Sequence, residues 1–393
     1  MYRWKRAALT FSVALALTGL AVVGWVLPDA HTAHAAGVDA LGYVYVNDNT
    51  AGTNTVAGFL RHADGTLTPL AHSPFAAGGA GTGKITGSQG ALQVSSNGRY
   101  LLAVDAGSNQ ISVLRIGTFG ELYPVPGSPF WSGGATPISL AVHNHLVYVA
   151  NGGTTAGANT NYSGFHLDDN GTLTLLSGST FALPDGSGPG DILFNATGTR
   201  LVGTRVNTSL IDSFVVGHDG RLSPAPQSPF PAQSVGPFGS DFRPTNPDQL
   251  FVSNAHAGAG NGTVSAYRDK AQGTLISVPG SPFADQQTAP CWVAITPDGQ
   301  YLFAVNTASA TISRFALAQD GALTLLGSTP MHGGTSLGPF DIQVDSSQHY
   351  AYVVDSGTAT VSEFLVHGGM LTEIASSPVA LPAGATPFGL VIV

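Results

Sequence analysis

The sequence is short of charge and almost free of cysteine. Of its 393 residues 9% are Asp, Glu, Lys or Arg, against about 25% in ordinary soluble domains. Only three are lysine, and the net charge is −9. Nucleic acid is excluded as a partner, because binding it needs clustered cations to displace counterions. Attraction to anionic lipid is excluded for the same reason. The lone cysteine, Cys291, rules out an internal disulfide; an oxidising compartment is allowed but not exploited. Also missing are a Cys-x-x-Cys pair, a Gly-rich phosphate loop and a serine nucleophile elbow, so no cofactor is expected. His143-Asn144-His145 alternates like a metal-binding strand but has no third ligand nearby, so no metal is assigned.

Glycine and proline are abundant, at 51 and 25 residues, which suits many tight turns and not a helical protein. An apolar fraction of 43% is ample for a core. At the N-terminus Arg3, Lys5 and Arg6 precede an uncharged run from Ala7 to Leu27, then Pro28 and the small-residue site Ala33-His34-Ala35. That layout predicts a signal peptide over residues 1–35, with an uncleaved membrane anchor as the alternative reading. Residues 36–40 then form a short linker. Both readings export the chain, to the medium or the cell surface, and the membrane is touched only through this segment if it stays. No cysteine follows the apolar run, so no lipid anchor is expected.

The rest is one unit repeated. Residues 290–328, PCWVAITPDGQYLFAVNTASATISRFALAQDGALTLLGS, read as four strands. Two Asp-Gly turns, at 298–299 and 320–321, predict type I′ hairpins. Gly90, Pro137, Pro189, Pro237, Pro290, Pro339 and Pro387 mark the start of the first strand in successive units, at spacings of 47 to 53 residues. This period belongs to propeller blades. The first unit has strands two to four (42–48, 55–60, 67–70) but no first strand, and PFGLVIV at 387–393 is a first strand with nothing after it. The expected fold is therefore an all-β, seven-bladed β-propeller over residues 41–393. Its blades are four-stranded and antiparallel, and the C-terminal strand joins the N-terminal blade. Ser-Pro-Phe recurs at 73–75, 128–130, 228–230 and 281–283, with weaker forms at 179–181 and 377–379. Six equivalents favour a blade-building role over a ligand-stacking one.

The pattern of Pro-Asp-Gly, Tyr-Leu-Phe-Ala-Val-Asn, Thr-Ile-Ser-Arg-Phe and Asp-Gly-x-Leu-Thr resembles the lactonase-like seven-bladed propellers. This is the 6-phosphogluconolactonase and carboxymuconate cyclase group with YVTN-type repeats. HLVYVAN at 145–151 and PDGQYLFAVN at 297–306 carry the closest resemblance. It implies lactone hydrolysis, with His and Arg where the first strands begin at the funnel mouth. Here those positions read Pro137-Ile138-Ser139, Pro189-Gly190-Asp191, Pro237-Phe238-Gly239, Pro290-Cys291-Trp292 and Pro339-Phe340-Asp341. None carries the cation that a developing oxyanion needs.

What the funnel offers instead is acidic. Asp191, Arg205 and Asp341 are the candidate catalytic residues, and Asp241 and His256 the candidate ligand-binding ones. Asp48, Asp105 and Asp355 begin polar loops and read as turn caps. Two functions stay open: a binding or scaffold module that takes a small molecule, glycan or protein on its funnel face, and a lactone hydrolase with a rearranged acidic site.

Overall fold

The structure, a computed structural model, describes residues 40–336 and 338–393. The expected signal peptide or anchor lies outside the described residues. Seven antiparallel sheets are present, arranged as seven blades. Blade 6 shows the plan: Pro290–Ile295, Tyr301–Asn306, Thr311–Leu317 and Leu323–Pro330, in that order across the sheet. In blade 1 the first strand is Leu390–Ile392, which pairs antiparallel with Ala40–Asn47. Val44 stands opposite Ile392, Tyr45 opposite Val391 and Val46 opposite Leu390. Among the described residues no helix is long and apolar enough to cross a membrane.

The core is divided among the seams between blades. Tyr45, Val56 and Phe75 of blade 1 pack on Leu92, Leu101 and Leu114 of blade 2. Across the closing seam, Tyr352, Val354 and Val361 of blade 7 meet Val44, Phe59 and Leu390 of blade 1. Second strands such as Tyr100–Asp105 are buried along their whole length, because a middle strand is covered on both faces by neighbouring blades. That is why they read as continuous apolar runs.

The Asp-Gly turns differ from expectation. In Asp64-Gly65, Asp219-Gly220, Asp298-Gly299 and Asp320-Gly321 only the glycine has positive φ, whereas a type I′ turn needs it at both central residues. Gly299 N–H instead bonds Thr296 C=O at 2.7 Å, so a turn of ordinary hand is followed by one left-handed glycine, the longer-loop solution.

The Ser-Pro-Phe loops interrupt the outer strand. Each follows a short fourth strand, and the chain then returns to pair with the other half of the third strand, as Phe75–Ala76 does with Thr55–His62. The loop leaves a third-strand N–H without a partner, and the serine hydroxyl takes it. Gly58 donates to Ser73 at 2.9 Å, Val113 to Ser128 at 2.9 Å, Ser213 to Ser228 at 3.0 Å and Ala266 to Ser281 at 2.7 Å. Ser179 and Ser377 do the same in the degenerate copies. The Ser-Pro bonds at 73–74, 128–129, 228–229, 281–282 and 377–378 are cis. Phe75 and Phe230 are buried in the seams, as a blade-building role requires. Blade 6 has no such loop: Leu323–Pro330 runs unbroken along the third strand, with a bulge at Arg314/Phe315.

Candidate functional site at the propeller axis

First strands form the inner edge of each sheet, so every second N–H faces the axis and not a partner strand. Side chains of the preceding blade satisfy these groups. Ile192 N–H donates to Ser139 Oγ at 3.1 Å and Ser240 N–H to Asp191 Oδ2 at 2.9 Å. Leu390 N–H donates to Asp341 Oδ2 at 3.1 Å. Asp191 and Asp341 thus occupy one structural position in two blades, and Ser139 fills it in a third. Asp191 also accepts the hydroxyls of Ser240 at 2.6 Å and Ser139 at 3.2 Å. Asp241, two residues deeper, accepts Ile295 N–H at 2.9 Å.

Blade 5 has Gly239 at the equivalent position, and a remote residue supplies the missing group. The link between blades 1 and 2 sends residues 87–90 across the axis, and Gln89 Oε1 accepts Val293 N–H at 3.2 Å. Its amide donates to Ser240 C=O at 2.9 Å and Val293 C=O at 3.2 Å, while its own N–H reaches Gly190 C=O at 3.0 Å. A Cβ on Gly239 would lie 2.0 Å from Gln89 Oε1, so only glycine fits there. Trp292, fully buried, donates its indole N–H to Ser88 C=O at 2.7 Å. Phe238 and Phe340 flank it at ring-centroid distances of 5.3 and 4.4 Å. Farther out, Asn49 pins the strap by bonding Lys84 C=O at 2.8 Å and Thr82 N–H at 2.7 Å. The mouth of the funnel is therefore filled by aromatic side chains and by the chain itself.

Beyond Gln89 a cavity of about 180 Å³ remains. Its walls include Gln93, Asp191, Leu193, Asp241, Ile295 and Gln343, far along the first strands from the mouth. Burial pushes the Asp191 carboxyl up to about 6, against hydrogen bonds from Ser240 and Ser139 that pull it down. Burial raises Asp241 and Asp341 to about 7, and the charge of Asp191 adds to both. The fold thus brings Asp191, Asp241 and Asp341 into mutual electrostatic reach, with Asp191 and Asp241 on the cavity wall and Asp341 turned toward Leu390.

It does not bring Arg205 or His256 to that wall. Arg205 is buried, with Nε 2.6 Å from Asp212 Oδ2, and Tyr162 donates its hydroxyl to the same oxygen at 3.1 Å. His256 is exposed on a loop of blade 5. Asp105 and Asp355 cap their turns through Ser112 at 2.6 Å and Ser362 at 2.7 Å. Asp48, raised to about 7 by burial, accepts Thr55 Oγ1 at 2.7 Å. His145 stacks on His166 at 5.5 Å, and among the described residues no group of three or more His, Cys, Asp or Glu is placed to hold a metal.

Sequence reading missed the strap and Gln89. Their one signal was that the link between the first two blades is the longest and carries no period.

The family model described as Lactonase, 7-bladed beta-propeller matches residues 242–387. Among curated proteins none matches. Among solved structures, a protein of Bacteroides uniformis provisionally named a 6-phosphogluconolactonase aligns at TM-score 0.68 and 20% identity, over 91% of this chain and 100% of that one. A counterpart from Bacteroides fragilis, under the same provisional name, gives 0.67 and 19%, over 90% and 98%. The periplasmic gluconolactonase of Pseudomonas aeruginosa gives 0.68 and 14%, over 90% and 99%. At these identities the likeness is one of fold. The chain is thus a seven-bladed β-propeller whose residues 242–387 match the lactonase family model.

Proposed function

We propose that the protein is an exported binding or scaffold propeller that works through its loop faces and does not hydrolyse lactones. One observation carries this reading: Trp292 and Gln89 fill the mouth where the resemblance implies a catalytic cation and a substrate. Ring opening needs a base and a site for the developing oxyanion. The cavity wall offers carboxylates but no Lys, Arg or His. The test is turnover by the mature protein, from Ala36, across a panel of sugar and aliphatic lactones. No turnover is expected. Hydrolysis lost in Asp191→Asn would overturn the reading.

A second reading has its own support. Asp241 is only partly buried, is raised to about 7 and lines a cavity, which suits a general base near neutral pH. The names of the Bacteroides and Pseudomonas relatives point the same way. On this reading Asp241→Asn abolishes a lactonase activity that Arg205→Ala, if folded, leaves intact.

A further inference from the structure

Charge is divided unevenly between the two faces of the propeller. The turns joining first to second and third to fourth strands carry nine Asp or Glu residues, among them Asp64, Asp168, Asp219, Asp298 and Asp320, against the four cations Arg99, Arg221, Arg243 and Lys270. The opposite face, around the mouth, consists of the loops joining second to third strands and the links between blades. These are built mostly of Gly, Ala, Ser, Thr, Asn and Gln, and among the described residues, His256 and His332 aside, their charged residues are Asp48, Lys84, Asp185 and Asp285. Asp48 and Asp285 are buried. Lys84 and Asp185 are exposed, and among the described residues neither has an ion-pair partner. Ile85 and Val235 stand out of the same face, 58% and 49% exposed.

We propose that this mouth face is where two copies of the chain meet. The inference rests on the binding reading above and names the partner. A protein of net charge −9 repels its own copy wherever acidic turns face each other. The mouth face is free of that cost, with one exposed cation and one exposed carboxylate. A two-fold contact is isologous, so a residue pair across it occurs twice. A two-fold axis in the interface, on the perpendicular bisector between Lys84 and Asp185, sets each lysine against the other copy's aspartate. Ile85 and Val235 then lose water contact against small side chains. The loops of this face exceed the 20–30 residues a side, roughly, that a standard interface uses. Phe238, Trp292 and Phe340 are buried beneath the strap and offer no platform for a sugar ring at the mouth.

Sedimentation equilibrium of the compact unit Asp39–Val393 tests this. A concentration-dependent dimer is expected. Lys84→Glu and Asp185→Lys should each raise its dissociation constant about tenfold, since each turns two opposite-charge contacts into like-charge ones. The double variant should return to within about threefold of the starting value. Both side chains are exposed and unpaired, so the melting temperature should not move, and Asp219→Lys on the other face should not weaken the dimer. A monomer at every concentration up to about 1 mM, a dimer indifferent to both reversals, or a mouth face that captures a neutral glycan would overturn the proposal. Those results leave the binding reading standing with a different partner. Lactone turnover would remove the binding reading whatever the oligomeric state.

Discussion

Arg205 and Asp212 form a buried ion pair at the turn of blade 4, where other blades join the same two positions without a cation. Asp105 bonds Ser112, Asn254 bonds Ser265 at 2.8 Å, Asn306 bonds Ser313 at 2.9 Å and Asp355 bonds Ser362. The second-strand residue closes the hairpin onto the third residue of the next strand in every case. Blade 4 makes that link with a cation and an anion.

Arg205→Ala should therefore act as a structural lesion. It strands Asp212 in the seam beside Tyr162, and an unpaired buried charge costs about 3–5 kcal/mol. The double variant Arg205→Asn, Asp212→Ser installs the pair used in blades 5 and 6 and should recover most of that loss. Urea unfolding midpoints at constant slope read both effects. A single variant as stable as the parent would refute the assignment.

Stability should fall as pH rises from about 5 to 8. The carboxyls of Asp48, Asp241, Asp341 and Asp355 titrate near 7 in the fold, raised by burial from an ordinary value of 3.8. Between those values the folded state binds more protons than the unfolded state, so the stabilisation is complete below about pH 4 and fades toward pH 7. The slope is at most about 1.4 kcal/mol per pH unit for each group. Asp64, Asp168 and Asp219, held low by hydrogen bonds within their turns, act in the opposite sense only in stronger acid. Thermal melts across this range should show the decline, and Asp341→Asn should flatten it.

The two tryptophans of the propeller should report separately. Trp131 is 60% exposed and Trp292 fully buried. In the chain without its first 35 residues, iodide should quench one emitting population and spare the other. Trp131→Phe should leave only blue-shifted, quencher-resistant emission that shifts red on unfolding. Quenching of that remaining signal in the folded state would mean that the mouth is open.

Gly239→Ala should destabilise by about 1–3 kcal/mol, because its methyl meets Gln89. Gln89→Ala should cost about as much by leaving Val293 N–H without an acceptor. Since both act on one contact, the double variant should cost less than their sum. Additive losses would separate the two residues.

The blade plan was legible because it is local and repeated. The marker prolines, alternating third strands and Ser-Pro-Phe loops each recur with a physical reason in every unit. The Asp-Gly turns were placed correctly but mistyped, since the dipeptide alone does not fix the length of the loop around it. Asp191 and Asp341 were picked out as aligned, and the fold puts them on one seam position. Arg205 looked like a free loop cation because its partner stands seven residues on, at a position occupied by serine in five other blades. The strap could not be read at all. Trp292 and Ser88 meet across 204 residues of chain, and nothing local in GKITGSQG marks a segment that crosses an axis.

Tyr43 and Val393 exchange both backbone hydrogen bonds, each at 2.8 Å, and so fasten the two ends of the propeller together. A ribosome makes the first partner at the start of its work on the propeller and the second at the close. Until then six blades can form while the seventh stays an unfinished sheet, open on one side to any passing strand. The interval between those two events is the period in which the chain depends most on its surroundings to stay unaggregated.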